Sequence, residues 1–522
     1  MKIRFSYIIY LFTLIVVLTN QISLAQITSR EDKKTLFKAD DSFEYGDYLN
    51  ALDIYQKLYP LDSNNAELNY KLGICNFEIK KYKSQSKKYF EKVPPTEFPE
   101  VGYYLGKLNH LTRDYERALF YFNQYKRFKG DKEHSANEID DLIEKCNTAV
   151  LFESSADKSI QIQNIGGVIN TEYAEYAPLI PADESFIIFT SRRKNDIFPK
   201  KDPLGEYFED IYISKKTEDN WQAPTMLDTN LNTAVHDAST GLSADGERLL
   251  IYRTSKDLRT GDIYESDWEG NNWGKPLILG SNVNSPYLET SACFSNKGDV
   301  IYFSSNRPGG FGGLDLYRAK KLPDGSWGVP YNLGPSINTE YNEDSPFIHP
   351  LGNVLYFSSE GHKNMGGYDI FKSNIDEQVR FEEPKNLGYP INTVDDDIFF
   401  VMNTDGSKGY LSSGREGGFG SQDIYMVSLK NNVVPLDVYN VYVMDESNKI
   451  IKKAELELTN IKTKEVYGTY KSNENTGKIL VISEFKKEYH ITIKVDGYEP
   501  FITTSVFDTN KEVMYQVSNK IK

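Results

Sequence analysis

Between residues 158 and 433, hydrophobic and polar positions alternate in short runs separated by turn residues, a pattern typical of β-strands. One such run, Tyr302-Phe303-Ser304-Ser305, is followed by a glycine-rich segment, residues 309–313, and then by the triplet Asp315-Leu316-Tyr317. Copies of the triplet begin at Asp210, Asp262, Asp315, Asp369 and Asp423. Their spacing of 52 to 54 residues predicts five equal repeats, as in a propeller or a solenoid.

The pattern within each repeat predicts four strands. The fourth strand carries an aromatic residue, a Pro and a Leu. This signature occurs at Trp221/Pro224/Leu227, Trp273/Pro276/Leu279, Trp327/Pro330/Leu333 and Phe381/Pro384/Leu387, and Asn232, Asn284, Asn338 and Asn392 follow it. The fifth repeat ends without it, whereas residues 165–173, ahead of the first repeat, match residues 333–341. We therefore expect an N-terminal strand to complete the last blade of a closed five-bladed β-propeller, which protects the sheet edges.

Residues 31–152 show a helical pattern in three units, each with a small residue in a first helix and an aromatic residue in a second. The small residues of the first helices are Ala39, Gly73 and Gly106. Twelve residues later come Ala51, Gln85 and Ala118, and four residues after these come the aromatic residues Tyr55, Tyr89 and Phe122. Gln85 breaks the series, so we expect the middle unit to pack less closely or to be shifted onto Ser84 or Ser86. A further helix near residues 135–152 predicts a cap for the array.

Residues 436–519 contain six short predicted strands and no helical period, which favours a small β-sandwich. The predicted strands cover residues 436–443, 454–459, 464–470, 478–483, 489–495 and 513–517. The chain is therefore expected to be multidomain: an α-helical array, a propeller and a sandwich.

Three family resemblances accompany these patterns. The helical spacing of about 34 residues resembles the tetratricopeptide (TPR) repeat. The strand at residues 302–307, the glycine-rich turn and the Asp-Ile-Tyr triplet resemble PD40 repeats, which are WD40-like and related to the propeller of TolB. The segment Gly497-Tyr498-Glu499-Pro500-Phe501 resembles the regulatory-like domain of carboxypeptidases, a prealbumin-type sandwich.

The order of these modules resembles periplasmic OmpA-family proteins of Bacteroidetes, including the peptidoglycan-linked component of the type IX secretion and gliding machinery. That family carries an OmpA-type domain after the sandwich, and this sequence has no match to it. Direct peptidoglycan binding of the OmpA type is therefore not expected. Membership of the secretion machinery follows from the resemblance in architecture alone.

The N-terminus predicts export. Lys2 and Arg4 precede an apolar run, residues 5–18, and Ser23-Leu24-Ala25 offers small residues for cleavage after residue 25. An uncleaved anchor helix is the alternative, although the run is short for a membrane span. A periplasmic protein associated with the outer membrane is expected.

Charge and cysteine content limit the partners and the redox chemistry. With 75 acidic and 60 basic residues the net charge is -15, and no block of like charge stands out, which argues against nucleic acid or anionic membrane as the main partner. Cys75, Cys146 and Cys293 form no CxxC pair, and buried thiols are expected. A disulfide between Cys75 and Cys146 is left open.

Signatures of enzymes are missing from the sequence, which contains no GxSxG, HExxH or GxxxxGK[ST] motif. The glycine-rich segment 309–313 joins two strands, so a tight turn is expected rather than a phosphate loop. In four of the five repeats the triplet Asp is expected to pair with a cation of its own blade, and the candidates are Arg193, Lys256, Arg307 and Arg415.

Two sets of residues are candidate sites. On the TPR pattern, Tyr70, Phe77, Tyr103 and His110 would line a groove, either for a protein partner or against the next domain or the cap helix. On the innermost strands, carboxylates recur at Glu175, Asp237, Glu289, Glu343 and Asp396. Five carboxylates around a central channel would repel one another or bind a cation, with Ca²⁺ as the candidate. The alternative is that each caps its own turn or pairs with a neighbouring blade. No cofactor is required.

The leading functional prediction is a non-enzymatic, exported cell-envelope scaffold that docks envelope or outer-membrane proteins through the helical groove and a propeller face. The alternative is a periplasmic or surface protein that binds glycans or peptides through exposed Tyr and Trp at the propeller mouth. A hydrolase appended to a propeller is the third reading. The sequence leaves the oligomeric state open.

Overall fold

The computed structural model describes residues 27, 29–128, 133–218, 220–429, 436–484, 486–506 and 511–518. The predicted leader, residues 1–25, lies outside the described residues. The chain forms two compact units, Met1–Asp140 with Lys201–Glu206, and Asp141–Lys200 with Tyr207–Lys522. None of the helices in the described ranges is long and apolar enough to cross a membrane.

Helices dominate the N-terminal part of the chain. They are α1 (Arg30–Glu44), α2 (Tyr48–Leu58), α3 (Ala66–Glu78), α4 (Lys87–Phe90), α5 (Val101–Leu111), α6 (Tyr115–Arg127) and α7 (Ala136–Ser154), with short 3₁₀ helices at Tyr59–Leu61 and Lys80–Gln85. Side chains at the N-caps of α1, α2, α3 and α6 accept a hydrogen bond from a backbone N–H of the first turn. These caps satisfy donors that have no partner within the helix and so fix where each helix begins.

Small residues allow the paired helices to approach closely, as predicted. Gly106 faces the ring of Phe122, and a Cβ added at Gly73 would lie 2.5 Å from the ring of Phe90. The middle unit is therefore shifted by one residue, because Phe90 takes the place expected for Tyr89. Ser86, one of the two alternatives for the shifted position, is fully buried. The shift accompanies a shortened second helix, since α4 has only four residues.

Five antiparallel sheets follow the helices. Blade 1 contains β2 (Glu175–Leu179), β3 (Phe186–Ser191), β4 (Asp210–Thr217), β5 (Asn220–Trp221) and β6 (Thr225–Met226). Blade 2 contains β7 (Asp237–Leu242), β8 (Arg248–Thr254), β9 (Gly261–Asp267) and β10 (Leu277–Ile278). Blade 3 contains β11 (Glu289–Phe294), β12 (Val300–Ser305), β13 (Asp315–Lys320) and β14 (Tyr331–Asn332). Blade 4 contains β15 (Glu343–Ile348), β16 (Val354–Ser359), β17 (Asp369–Asn374) and β18 (Lys385–Asn386).

The last blade is completed by the N-terminal strand. Blade 5 contains β19 (Asp397–Met402), β20 (Lys408–Ser413), β21 (Asp423–Ser428) and β1 (Gln161–Asn164). The first strand pairs with β21 in register, Gln161 with Ser428 and Asn164 with Tyr425. The inner strands β2, β7, β11, β15 and β19 contact one another in this order, and β19 contacts β2. The predicted five-bladed ring and its displaced closing strand are both present.

The recurring Asn residues hydrogen-bond the third strand of each blade to the segment that connects it to the next blade. In each case the side-chain amide donates to the carbonyl, and accepts from the N–H, of the residue after the triplet Asp. The pairs are Asn170 with Ile424, Asn232 with Ile211, Asn284 with Ile263, Asn338 with Leu316 and Asn392 with Ile370. Both polar groups of a buried backbone unit are thereby satisfied at every junction.

The glycine-rich turns are tight because they lie against the next junction. A Cβ added at Gly420 would overlap the carbonyl oxygen of Tyr173, and one at Gly312 would overlap that of Tyr341, both well inside 3.0 Å. Gly309, which opens the turn of blade 3, has a φ of 93°. The turn interpretation of residues 309–313 is confirmed.

The C-terminal segment is a two-sheet sandwich. Its strands are β22 (Leu436–Met444), β23 (Ala454–Asn460), β24 (Val466–Lys471), β25 (Lys478–Glu484), β26 (Glu488–Val495), β27 (Phe501–Val506) and β28 (Glu512–Gln516). One sheet has the order β25-β22-β28 and the other the order β24-β23-β26-β27. The strand β27 is not among the six predicted strands. Thr476 and Lys478 hydrogen-bond to Glu247 and Asp245 of blade 2.

All three cysteines are buried, unpaired thiols. Burial raises the pKa of each thiol to about 12. The disulfide between Cys75 and Cys146 is not formed in this structure, and the expectation of buried thiols is confirmed.

Candidate functional site

The inner-strand carboxylates form a series, but its fifth member differs from the prediction. Glu175, Asp237, Glu289 and Glu343 each open the first strand of their blade and are fully buried. In blade 5 the equivalent residue is Asp397, which pairs across the sheet with Ser413 as Glu343 pairs with Ser359. Asp396 is half-buried and instead accepts a hydrogen bond from the N–H of Tyr368. Three consecutive Asp residues, 395–397, hid this register in the sequence.

Each of these carboxylates is held by the loop that precedes it. A Thr or Ser four residues earlier donates both its N–H and its hydroxyl to the carboxylate. The donors are Thr171, Thr233, Ser285, Thr339 and Thr393. The alternative in which each carboxylate caps its own turn is the arrangement that the structure shows.

A cation from the end of the second strand completes the network in four blades. The ion pairs are Arg193 with Glu175, Arg253 with Asp237, Arg307 with Glu289 and Arg415 with Asp397. Each of these Arg residues also donates to a carbonyl of the preceding junction, at Ile169, Leu231, Val283 and Ile391. In blade 4 the Nε2 of His362 donates to the Ile337 carbonyl instead. The network therefore ties blades together.

Burial controls the ionisation of these groups. It raises the pKa of Glu175, Asp237, Glu343 and Asp397, while hydrogen bonds oppose the rise, helped by the ion pairs at Glu175, Asp237 and Asp397. Across the described residues, the one group with three candidate metal-ligand atoms close together is Glu100, Glu133 and His134, in the helical unit. The five inner-strand carboxylates share no such set, so Ca²⁺ binding at the channel stays a prediction without a common ligand cluster.

The predicted pairing of the triplet Asp with a cation is wrong, because the Arg residues pair with the inner-strand carboxylates. In blade 2 the cation is Arg253 rather than Lys256. Asp315 instead accepts from the N–H groups of Phe311 and Gly312, at 2.7 and 3.0 Å, and from the Asn332 amide. In blades 3 and 5 the triplet Asp thus caps the glycine-rich turn, since Asp423 accepts in the same way from the N–H groups of Phe419 and Gly420.

Asp369 in blade 4 has a poorer set of donors. It accepts from the N–H of Met365 and from Asn386, and its Oδ1 is buried without a hydrogen-bond partner in the described parts of the chain. Burial, reinforced by the nearby Asp397, raises the pKa of Asp369 to about 8. Asp369 is therefore a triplet carboxyl at which a change of pH should affect the propeller, and so is Asp210, whose Oδ1 is likewise buried without a partner among the described residues and whose pKa burial raises to about 7.

The free energy of unfolding of the wild type is expected to fall between pH 5 and pH 8. In Asp369→Asn this fall is expected to be smaller. The pKa of Asp369 lies near 8 in the folded state and near 4 in the unfolded state. Its contribution to stability is therefore complete below about pH 4 and is lost as the pH rises through 8. The slope from this group is at most about 1.4 kcal/mol per pH unit. Urea midpoints of the two proteins at pH 5 and pH 8 measure it. Parallel pH dependence in both proteins would contradict the assignment.

The central channel is narrow. At one end the inner strands enclose a cavity of about 40 Å³, lined largely by apolar side chains such as Pro178, Phe347 and Phe399. This volume holds a few water molecules rather than a sugar ring. Trp273 and Trp327 are buried, at 4% and 5% exposure. The expectation that Trp side chains line an open mouth is therefore not met by these residues.

The four predicted groove residues are part of the packing of the helical unit. Phe77, Tyr103 and His110 are buried, and Tyr70 is half-buried and stacks on Phe98 with 4.8 Å between ring centroids. Tyr103 stacks on His134 at 3.6 Å. Hence these four side chains do not form an open groove in the structure.

A lysine-rich segment, residues 80–92, is a candidate site that was not predicted from the sequence. It contains six Lys and one Glu within a chain of net charge -15. Lys80, Lys81, Lys88 and Lys92 are exposed and have no ion pair among the described residues. Lys88 lies 4.8 Å from the centroid of the Tyr89 ring, and Lys92 lies 5.2 Å from that of Tyr59. A short-window charge count would have found this segment.

Comparisons with known proteins give similarity at the level of fold. No family model and no curated protein matches the chain. A TolB structure from Agrobacterium tumefaciens is 18% identical, with a TM-score of 0.28, and covers 52% of this chain and 97% of its own. The propeller domain of the Trilobed protease from Pyrococcus furiosus is 9% identical, with a TM-score of 0.25, and covers 65% of this chain and 82% of its own. An endo-arabinase from Bacteroides thetaiotaomicron is 13% identical, with a TM-score of 0.34, and covers 53% of this chain and 100% of its own.

These comparisons correct one prediction. Besides the endo-arabinase, the similar structures include an arabinanase, an arabinofuranosidase and further glycoside hydrolases. The prediction that the protein is not an enzyme is contradicted by this set, which is mostly enzymes. At these identities the likeness is one of fold, and it identifies neither a catalytic residue nor a substrate in this chain.

Proposed function

We propose that the protein is an exported cell-envelope docking protein that holds an acidic segment of a protein partner on the lysine-rich segment of its helical unit. The observation that carries the proposal is the concentration of six Lys within residues 80–92 of a strongly acidic chain. Exposed lysines without ion pairs attract and orient an oppositely charged surface. The pairing of small and aromatic residues in α5 and α6 supports a TPR-type array as the frame for this segment.

The remaining features of the proposal come from the sequence. The N-terminal pattern supports export to the periplasm and association with the outer membrane. A TolB-type PD40 propeller and a carboxypeptidase-regulatory-like sandwich would then hold the helical unit near the envelope. The order of modules supports a partner in type IX secretion, gliding or outer-membrane assembly.

Reversing three charges is expected to weaken partner binding about tenfold or more, which corresponds to about 1.4 kcal/mol. The variant Lys81→Glu/Lys88→Glu/Lys92→Glu and the wild type are immobilised, and bound envelope proteins are quantified by mass spectrometry at low and high salt. Lys449→Glu/Lys452→Glu/Lys453→Glu is the matched control, because it makes the same charge change on exposed lysines of the sandwich. Equal losses in both variants, or binding insensitive to salt, would sink the proposal.

A further inference from the structure

Four of the five seams between blades are filled by an aromatic ring from the fourth-strand region. Trp221 packs edge-on against Tyr410 of blade 5, and Phe381 against Tyr302 of blade 3, with centroid separations of 6.2 and 6.4 Å. Trp273 shares a packed cluster with Ile188, and Trp327 shares one with Leu250. The partners Tyr410, Tyr302, Ile188 and Leu250 each occupy the third position of their blade's second strand, and in blade 4 that position is Tyr356.

The backbone pairing of the third and fourth strands determines where the aromatic residue of each blade lies. In blades 1 to 4 the aromatic residue lies opposite the sixth residue after the triplet Asp, in the pairs Lys216–Trp221, Trp268–Trp273, Lys321–Trp327 and Ile375–Phe381. In blade 5 the sixth residue is Leu429. Continuing the register of Gln161 with Ser428 places Ile160 opposite it. An isoleucine therefore stands where the other blades carry Trp or Phe.

The seam between blades 4 and 5 contains a cavity at this place. Its volume is about 310 Å³, and Ile160, Leu429 and Tyr356 all line it, together with Leu387 and Met402. The size is at the lower end of the roughly 300–1,000 Å³ range of small-molecule sites. Because the fold supplies a ring at the other four seams and only an isoleucine here, the unfilled volume is suited to a planar aromatic group.

The same cavity carries two groups of opposite charge. Lys372, on β17, has no ion pair with any residue in the described parts of the chain, and Asp405 accepts one hydrogen bond, from the N–H of Ser407, at 2.8 Å. His349 also lines the cavity, where burial lowers its pKa and its Nδ1 accepts from the N–H of Leu351. An ammonium and a carboxylate beside an aromatic-sized volume are complementary to a zwitterion.

We propose that the seam between blades 4 and 5 is a binding site for a free aromatic amino acid of the tryptophan class. The ring takes the place of the missing aromatic side chain, against Tyr356 and Ile160. The carboxylate of the ligand pairs with Lys372 and its ammonium group with Asp405. This site is separate from the lysine-rich segment and does not rest on the function proposed for it.

The test uses the full chain, with L-tryptophan and indole as probes in calorimetry and thermal unfolding. Tryptophan is expected to bind the wild type and to raise its Tm, because a ligand of the folded state stabilises it by mass action. Ile160→Trp fills the site from within and should abolish binding, whereas Ile278→Trp, the same exchange on exposed β10, should leave it unchanged. No Tm shift in the wild type at millimolar tryptophan, or equal binding by Ile160→Trp, would overturn the site.

A second variant tests the charged groups and does not depend on how Ile160→Trp folds. Lys372→Gln is expected to weaken tryptophan binding about tenfold while leaving indole binding unchanged, because indole has no carboxylate. Indole binding the wild type as tightly as tryptophan would overturn the assignment of Lys372 and Asp405. A tryptophan-containing peptide that binds while free tryptophan does not would also overturn it, in favour of a protein partner.

Discussion

Replacing Arg307 by Met is expected to destabilise the propeller by about 3–5 kcal/mol. Glu289 is fully buried, and Arg307 lies 3.1 Å from it while also donating to the carbonyls of Val283 and Asn282. Without the guanidinium, the carboxylate has no charge partner in its blade and the two junction carbonyls lose their donor. The urea midpoint, followed by tryptophan fluorescence, measures the loss.

The control for this prediction is Arg380→Met, which removes an ion pair with Asp376 at the surface. Arg380 is 74% exposed, so its removal should cost less than about 1 kcal/mol. The double variant Glu289→Gln/Arg307→Met should recover part of the stability lost in Arg307→Met, since it leaves no buried charge. If Arg307→Met and Arg380→Met lose the same stability, the network does not hold the blades together.

Gly420→Ala is expected to cost about 3 kcal/mol or more, the upper end for overpacking. The added methyl group would overlap the carbonyl oxygen of Tyr173, which is backbone and cannot rotate away. The strain falls where blade 5 meets blade 1, so it opposes closure of the ring. Hydrogen exchange of β1 and β21 amides should rise more than that of the amides of blade 3.

Gly280→Ala is the matched control, because a Cβ there meets no atom of the residues that the structure describes within 4 Å. That change should be neutral or slightly stabilising, through the smaller conformational freedom of the unfolded chain. A loss in Gly280→Ala equal to that in Gly420→Ala would show that the close approach to Tyr173 is not the cause.

The sequence predicted the propeller well because its repeats are periodic. The triplets set the number of blades, and the missing fourth-strand signature after Asp423 led to the strand that precedes Glu175. The aromatic residues of the fourth-strand signature lie at the four filled seams, a role that the sequence did not predict. What periodicity could not resolve was register within a run of identical residues, which is why Asp396 was taken for Asp397.

Side-chain partners were harder to predict than strands. Arg307 lies near both Glu289 and Asp315 in the sequence pattern, and only the geometry shows that it pairs with Glu289 while turn N–H groups hold Asp315. Likewise, Phe77 and Tyr103 have the spacing of a groove, but aromatic residues at that spacing also form a core. The cavity beside Ile160 forms because Ile160, at the start of the repeat region, lies opposite Leu429, at its end. No local sequence pattern could reveal this cavity.

The pairing of Gln161 with Ser428 also constrains the order of folding. During synthesis β1 is made first, yet its partner strand is made last, so the nascent chain exposes an unpaired strand edge until the whole repeat region is available. Contacts between such distant segments form slowly, because the entropy of closing a long loop must be overcome first. The last blade is accordingly the one most exposed to wrong pairing between chains, and a chaperone that covers β1 until β21 has been made would assist this protein more than one that covers any other strand.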